Sequence, residues 1–259
     1  EWGGAPQADV WVLGGKFPAQ QAAWVNGAMA HARDYDDTHD AAVLHAGVTA
    51  VPAAIAIGQM RGQLSGADLI AAVAAGLEVT CRLGVAKRLG IVDSGFIFTP
   101  LLGYFGATAA AGRACGLSPD EMLNAFGIVY SYVAGNHQVT RDASLMKRIQ
   151  VGQSAQAGVV AVQMAKRGIR GAQNVFEGVD GFFRVYLQNR IDAQVVRQDK
   201  LVDAETLEVV ISMLNDMGVA VYEQTPDAET LLLNNNGPTA ATEEEAEELP
   251  GEAEETGTV

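Results

Sequence analysis

Cysteine is scarce in this sequence, with only Cys81 and Cys115 among 259 residues. Two thiolates are too few for an iron–sulfur cluster or for a structural zinc site built from cysteines, so we exclude both kinds of site. Both residues lie in apolar stretches with a helical pattern. We therefore expect buried free thiols, which are typical of a reducing compartment such as the cytoplasm.

Long hydrophobic runs are also missing. A membrane-spanning helix needs about 20 apolar residues, and glycine or charged residues interrupt every candidate stretch of this chain. No signal peptide is recognisable. We therefore predict no membrane association and a cytoplasmic location. The chain starts at Glu1 rather than at methionine, so we expect its native start to be missing.

Lysine and arginine are absent from residues 201–259, which hold 15 acidic residues. Residues 1–200 hold 16 acidic residues and all 17 basic ones, so nearly the whole net charge of −14 belongs to the C-terminal segment. Neither segment offers the basic patch that nucleic-acid binding requires, and we predict no nucleic-acid partner. The Glu-rich end is too polar to bury a core, which predicts disorder from about residue 234.

What the sequence does have is helical periodicity, because no alternating strand pattern recurs. Apolar residues recur at helical spacing in 20–33, and Pro52 is predicted to open the next helix. Ser65 is predicted to cap a long helix that stops at Gly90.

The later helices carry similar signals. The run from Ser118 to Glu121 is a capping box with proline in the first helical position. Further helices are predicted at 101–114, 152–166 and, in the acidic segment, 203–218. We therefore predict an all-α, multi-helix bundle in residues 1–198, an amphipathic helical segment at 199–233 and a disordered acidic tail at 234–259.

The block from His31 to His45 (HARDYDDTHDAAVLH) holds three of the four histidines and four aspartates. Histidine is the commonest general acid or base near neutral pH, so this block is where we expect chemistry. The alternative is a solvated helix end, because Asp and Thr are ordinary capping residues. A divalent ion held by aspartates and histidines of this block is a further alternative. The spacing fits no metal signature, and we predict no metal and no cofactor.

The same block carries a resemblance. The stretch AAWVNGAMAHARDYDDTHDAAVLHAG, with later segments SLMKRIQVG and NVFEGVDGFFRVY, resembles the MmgE/PrpD family from about Ala22 to Tyr186. That family includes 2-methylcitrate dehydratases, cis-aconitate decarboxylases and an iminodisuccinate epimerase. The resemblance implies cofactor-free dehydration, decarboxylation or epimerisation of a small di- or tricarboxylate, and a homodimer.

Four candidate site residues follow from the resemblance. It places Asp34 and Thr38 at active-site positions, His45 at a catalytic histidine and Lys147 at a substrate-contacting lysine. We predict that Asp34 and His45 handle protons and that Thr38 and Lys147 bind substrate. A cation and a hydroxyl can hold a carboxylate, while a carboxylate such as Asp34 can orient the imidazole of His45. His31 lies on the apolar face of its helix, which favours a structural histidine.

Two family histidines are replaced, one by Ile97 in the GFIFT segment and one by Gln150 after the lysine. Neither side chain can transfer a proton. His137, in the segment GNHQ, is predicted to line the pocket as a catalytic substitute. These replacements imply altered substrate preference or altered chemistry.

The family's second domain, an α+β lid, should follow the GFFRVY segment, but the sequence there does not resemble it. We therefore expect a chain truncated at both ends, with impaired activity because water exclusion and substrate positioning suffer. Residues from about 201 onward instead resemble the acidic N-terminal region of a bacterial primary sigma factor. The alternative reading is thus a non-catalytic or artificial fusion, whose acidic tail contacts a basic surface such as RNA polymerase.

Overall fold

A computed structural model describes residues 3–62 and 64–197. The predicted segments at 199–233 and 234–259 lie outside the described residues. Within the described part, two short strands and ten helices follow one another. They are β1 (Ala8–Asp9), β2 (Lys16–Phe17), α1 (Ala19–Ala30), α2 (Gly47–Arg61), α3 (Gly66–Ala86), α4 (Ile91–Ser94), α5 (Phe98–Cys115), α6 (Pro119–Tyr130), α7 (Gln138–Arg141), α8 (Met146–Lys166), α9 (Phe182–Val185) and α10 (Ala193–Val196).

The all-α prediction is confirmed, and the strands add only a small hairpin. Ala8 pairs with Phe17 and Asp9 with Lys16 in an antiparallel two-stranded ladder. A two-stranded hairpin is marginal by itself. It is held here by side chains of the helices, since Asn26 accepts a hydrogen bond from Trp11 N and Gln59 accepts one from Asp9 N.

Two of the predicted helix starts are confirmed in atomic detail. The Ser65 hydroxyl accepts a hydrogen bond from Asp68 N, and the Ser118 hydroxyl accepts one from Glu121 N. The Glu121 carboxylate returns a bond to Ser118 N, so the capping box is complete. Each bond satisfies an N–H group that would otherwise lack an intrahelical partner.

The predicted start of α2 is wrong. The helix begins at Gly47, five residues before Pro52, which therefore lies inside it. A proline there leaves the Val48 carbonyl without its intrahelical N–H. Helix α1 approaches that carbonyl closely, because a Cβ added to Gly27 would lie 3.2 Å from Val48 O.

Two other boundaries also differ from prediction. Helix α3 ends at Ala86, and Gly90 is the N-cap of α4 rather than the stop of α3. Helix α8 begins at Met146, six residues before Gly152. Lys147 therefore lies on the first turn of a long helix instead of in a loop.

Helix α5 is the centre of the bundle and packs against α2, α3, α6 and α8. It meets α3 where Gly106 faces Gly76 and Thr80, so closely that a Cβ on Gly106 would overlap the Thr80 hydroxyl and lie 2.9 Å from Gly76 O. Alanine is the commonest residue among the buried apolar side chains of the described residues. Small residues thus set the distances between the helix axes.

The prediction that no stretch is apolar enough to span a membrane is wrong for helix α3. By length and composition it could cross a membrane, with a mean hydropathy of 1.7, although 67% of the window is buried inside the fold. A buried core helix meets the same criteria, so this finding gives no evidence for a membrane.

Both cysteines are free, as predicted. Cys81 lies buried on α3, and burial raises the pKa of its thiol to about 12. Cys115 is only partly buried at the end of α5.

Candidate active site

The polar block forms the connection between α1 and α2. His31 ends α1, and the backbones of His39 and Leu44 pair across a tight turn. Asp34 and Val43 adopt positive φ angles of 54° and 56°. A left-handed conformation is unfavourable for a β-branched residue such as Val43, and strain of this kind is concentrated at functional sites.

Asp37 ties this connection to α2. Its carboxylate accepts hydrogen bonds from Ala46 N at 3.1 Å and from Gly47 N at 2.9 Å. It therefore caps α2 at Gly47, five residues before the predicted start at Pro52, and the negative charge is favourable at a helix N-terminus. Burial raises the pKa of Asp37, although the bond from Gly47 opposes that shift.

A cavity of about 410 Å³ opens beside this connection. All four histidines of the chain line it, together with Thr38 and Lys147, as do Ile97 and Thr99. The structure thus brings together His45, His137, Thr38 and Lys147 from three separate stretches of sequence. Asp34 does not line the cavity, but its carboxylate is paired with Lys147, which does.

His45 is fixed through both its backbone and its ring. Its N–H donates to the buried Thr99 hydroxyl at 3.1 Å. Its ring Nδ1 lies 3.0 Å from Asp36 Oδ2, although the direction of this contact is poor and Nδ1 has no well-aligned hydrogen-bond partner. The carboxylate beside His45 is therefore Asp36, and the prediction that Asp34 orients this ring is wrong.

Asp36 also contacts His31, whose Nδ1 lies 2.9 Å from the same oxygen, Oδ2. The His31 ring is 2% exposed and meets the His45 ring edge to face, with centroids 4.9 Å apart. Its Nε2 lies 3.4 Å from Asp34 Oδ1. The structure thus confirms His31 as a buried, partnered histidine, and it also shows that His31 borders the cavity.

The charges of the site shift its proton affinities. Burial alone would raise the pKa of Asp36, but the contacts from His31 and His45 outweigh burial and hold the pKa well below its ordinary value. The Asp36 contact raises the pKa of His45, with burial opposing and Asp37 and Asp34 adding to the rise. His45 therefore favours its protonated form more than a free histidine does.

Asp34 instead pairs with two cations on the first turn of α8. Its carboxylate accepts hydrogen bonds from Lys147 Nζ at 2.9 Å and from Arg148 Nη1 at 2.6 Å. Burial would raise the pKa of Asp34, but these two bonds lower it. One carboxylate therefore faces two cations, of which Lys147 lines the cavity.

His137 lies beside the position where the family histidine is replaced. The backbone N–H of His137 donates to Gly95 O at 2.8 Å, and Ile97 N donates to Gly135 O at 2.9 Å. These two bonds hold the segments of Ile97 and His137 side by side along the cavity. The predicted pocket position of His137 is confirmed, whereas its catalytic role stays a prediction.

Gln150, the other replacement, does not line this cavity. It is 5% exposed on α8, and its Nε2 has no hydrogen-bond partner among the described residues.

Three side chains of the site are candidate metal ligands. Ligand atoms of His31, Asp36 and His45 lie within 4.8 Å of one another, close enough to surround one ion. Tetrahedral zinc would hold such ligand atoms about 3.3 Å apart, given bonds of ~2.0–2.1 Å. The observed separations of 2.9 Å and 3.0 Å between each ring and Asp36 are those of direct polar contacts.

The raised pKa of His45 predicts a pH-dependent stability. The stabilisation is fully present below the unfolded pKa of about 6.5 and is lost as pH rises through the higher folded pKa. We therefore expect His45→Gln to lower the free energy of unfolding more at about pH 6 than at about pH 8.5. Urea denaturation of both proteins at the two pH values measures this. An equal loss at both would contradict the shift.

Comparison with known proteins adds two findings. Residues 1–194 match the model of the MmgE/PrpD N-terminal domain, and residues 194–249 match that of sigma-70 factor region 1.1. A human cis-aconitate decarboxylase is 32% identical over 174 residues, covering 66% of this chain and 36% of the relative. A cis-aconitate decarboxylase-like protein of Aspergillus oryzae is 30% identical over 181 residues, or 67% and 37%. The chain thus spans little more than a third of the length of these relatives.

Proposed function

Because the chain belongs to the MmgE/PrpD family, we propose that it performs lyase-type chemistry on a small polycarboxylate. The proposed substrate to test first is cis-aconitate, after the printed names of the relatives. The observation that carries the proposal is that an imidazole, His45, and an ammonium group, Lys147, line one cavity. Arg148 lies beside Lys147 and pairs with the same carboxylate, Asp34.

The cations explain how a carboxylate would bind. Lys147 Nζ and Arg148 Nη1 both donate hydrogen bonds to Asp34. A substrate carboxylate that enters the cavity can therefore accept a hydrogen bond from Lys147 in place of Asp34. The charge of Asp34 is then still paired with that of Arg148. Charge-assisted hydrogen bonds of this kind are the strongest that a protein offers to a carboxylate. Thr38 supplies a hydroxyl donor at the same cavity.

His45 would supply the proton. In a decarboxylation the C–C bond to the departing carboxylate breaks, carbon dioxide leaves, and the electron pair left on carbon takes up one proton. A histidine whose pKa is raised by a neighbouring carboxylate can donate that proton. His137, which also lines the cavity, is the proposed second proton-handling group.

The test is turnover by the intact chain. Cis-aconitate and 2-methylcitrate, each with chelator present, would be followed by proton NMR for loss of substrate and appearance of product. Product formation that survives the chelator supports the proposal, including its freedom from metal. No turnover of either compound by a folded chain would refute it.

Lys147→Met is expected to raise KM for cis-aconitate by about 10–100-fold, because the substrate carboxylate loses a charge-assisted bond worth ~1.5–3 kcal/mol. Lys166→Met is the matched control on the same helix. Lys166 lies at the far end of α8 and pairs with Glu121 at 3.0 Å, away from the cavity. Steady-state kinetics give KM for both variants. An equal KM in Lys147→Met and Lys166→Met would show that Lys147 does not bind the substrate.

A second candidate rests on the match of residues 194–249 to sigma region 1.1. Most of this segment lies within residues 201–259, which hold 15 acidic residues and no basic ones. We propose that it contacts a basic surface such as that of RNA polymerase. Binding to core polymerase that weakens with salt supports this, and absence of binding at low salt refutes it.

The homodimer and the cytoplasmic location also remain proposals. Sedimentation of the purified chain over a range of concentrations tests the dimer, which a single monomeric species would refute.

A further inference from the structure

Asp36 occupies a central position that the family motif did not single out. Its carboxylate is 6% exposed, and one oxygen, Oδ2, lies 2.9 Å from His31 Nδ1 and 3.0 Å from His45 Nδ1. Its other oxygen, Oδ1, is buried and has no hydrogen-bond partner in the described part of the chain. A buried carboxylate is costly unless it is paired, so its placement between two imidazoles calls for an explanation.

The contact with Asp36 predicts which nitrogen of the His45 ring carries a proton. His31 has carboxylate oxygens near both of its nitrogens, Asp36 Oδ2 at Nδ1 and Asp34 Oδ1 at Nε2. His45 instead turns only Nδ1 toward Asp36 Oδ2, so we expect its neutral ring to keep the proton on Nδ1. For His45 this leaves Nε2 as the nitrogen that exchanges a proton with a ligand. The aligned bond is the one from His31, whereas the His45 contact is short but poorly directed. Catalytic hydrogen bonds are often misaligned before substrate binds.

We propose that Asp36 is the positioning residue of this site, holding the His45 ring through an oxygen that it shares with His31. The proposal rests on the proposed function for its catalytic meaning, whereas the shared contact stands by itself. His31 is then a second member of the proton-sharing group, because a proton on one ring changes the affinity of the other.

Other charged groups face the same rings, and their effects on the pKa of His45 must be distinguished from the effect of Asp36. The connection supplies Asp34 and Asp37, and α8 supplies Lys147 and Arg148, both paired with Asp34. His39, Asp40 and His137 border the cavity. A variant of Asp36 must therefore be compared with a variant of another aspartate in the same connection. Asp40 suits this purpose, since it makes no ion pair among the described residues.

The experiment is NMR titration of the chain with labelled imidazoles, where four histidines give four sets of resonances. In the unmodified protein, nitrogen shifts above the pKa should show His45 as the Nδ1–H tautomer, whereas free histidine prefers Nε2–H. In Asp36→Asn we expect the proton affinity of His45 to fall by about tenfold or more. In Asp40→Asn we expect a change of less than about twofold.

His31→Gln provides a variant that retains Asp36. Removing His31 leaves the carboxylate to His45 alone, so we expect the proton affinity of His45 to rise. If Asp36→Asn does not fold, the proposal is still tested by the His45 pKa in His31→Gln and by the His45 tautomer in the unmodified protein. An Nε2–H tautomer at His45, or an unchanged His45 pKa in either variant, would overturn the proposal.

Kinetics separate positioning from simple structural support. Asp36→Asn is expected to lower kcat for cis-aconitate with little change in KM, because the carboxylate acts through His45 and does not touch substrate. If the chain turns over no substrate, the proposed function fails while the NMR result still decides the role of Asp36. Turnover combined with an independent titration of the two rings refutes only the role of Asp36.

Discussion

His45→Gln is expected to lower kcat/KM for cis-aconitate by ~10²–10⁴-fold, the usual contribution of a positioned general acid or base. Glutamine has a similar length and retains hydrogen-bonding groups, but it cannot exchange a proton. The backbone bond from His45 N to Thr99 involves no side-chain atom of residue 45 and should persist. Steady-state turnover with cis-aconitate measures the effect.

The control for this variant must come from the fold, because the chain has no histidine outside the cavity. Its circular dichroism should match that of the parent protein, and its unfolding midpoint should be measured at about pH 8.5, where the His45–Asp36 interaction contributes least. A folded His45→Gln that keeps more than about a tenth of the activity would rule out His45 as the proton donor.

Gly106→Ala is expected to lower the free energy of unfolding by about 1–3 kcal/mol, which is typical of overpacking in a close-packed core. The added methyl group would overlap the Thr80 hydroxyl and press on Gly76 O at 2.9 Å. Urea denaturation gives the change. Because α5 also supplies Thr99, the same variant should weaken the support of His45.

Thr80→Ala separates overlap from the ordinary effect of alanine in a helix. It removes the hydroxyl that a Cβ on Gly106 would meet, and the Thr80 Cβ then lies 3.2 Å away. Gly106→Ala should therefore cost less in the Thr80→Ala background than in the parent, a negative coupling in a double-mutant cycle. Equal costs in both backgrounds would show that the loss does not come from overlap with the Thr80 hydroxyl.

Helix positions could be predicted where the signal is local. Ser65 and Ser118 bond to N–H groups three residues ahead, so their role is visible as a short motif. The start of α2 was missed because its cap, Asp37, lies ten residues before Gly47 in the chain. A cap supplied by a loop folding back leaves no fixed spacing to recognise.

The sequence predicted which residues belong to the site better than it predicted which of them contact one another. The resemblance brought forward His45, Thr38, Lys147 and Asp34, and the structure places the first three at one cavity with Asp34 paired to Lys147. It could not show that Asp36, rather than Asp34, lies beside His45. Asp34 adopts a left-handed conformation in this connection, and several aspartates of the block could adopt it equally well, so the sequence does not show which of them faces inward.

His137 shows a different kind of prediction. Its position was inferred because Ile97 could not take over the role of a histidine. The backbone pairing of the two segments now explains how a residue forty positions away reaches the same wall of the cavity. Such non-local pairing is invisible to periodicity, and only the missing proton donor pointed to it.

The small-residue packing of α3 and α5 has a consequence for how stability depends on temperature. Alanine and glycine lose almost no rotamer freedom on folding, and each buries little apolar area. The heat capacity of unfolding follows the apolar area that is exposed. A bundle assembled from such residues should therefore have a small heat-capacity change per residue, and its stability should follow a broad, flat curve on warming and cooling.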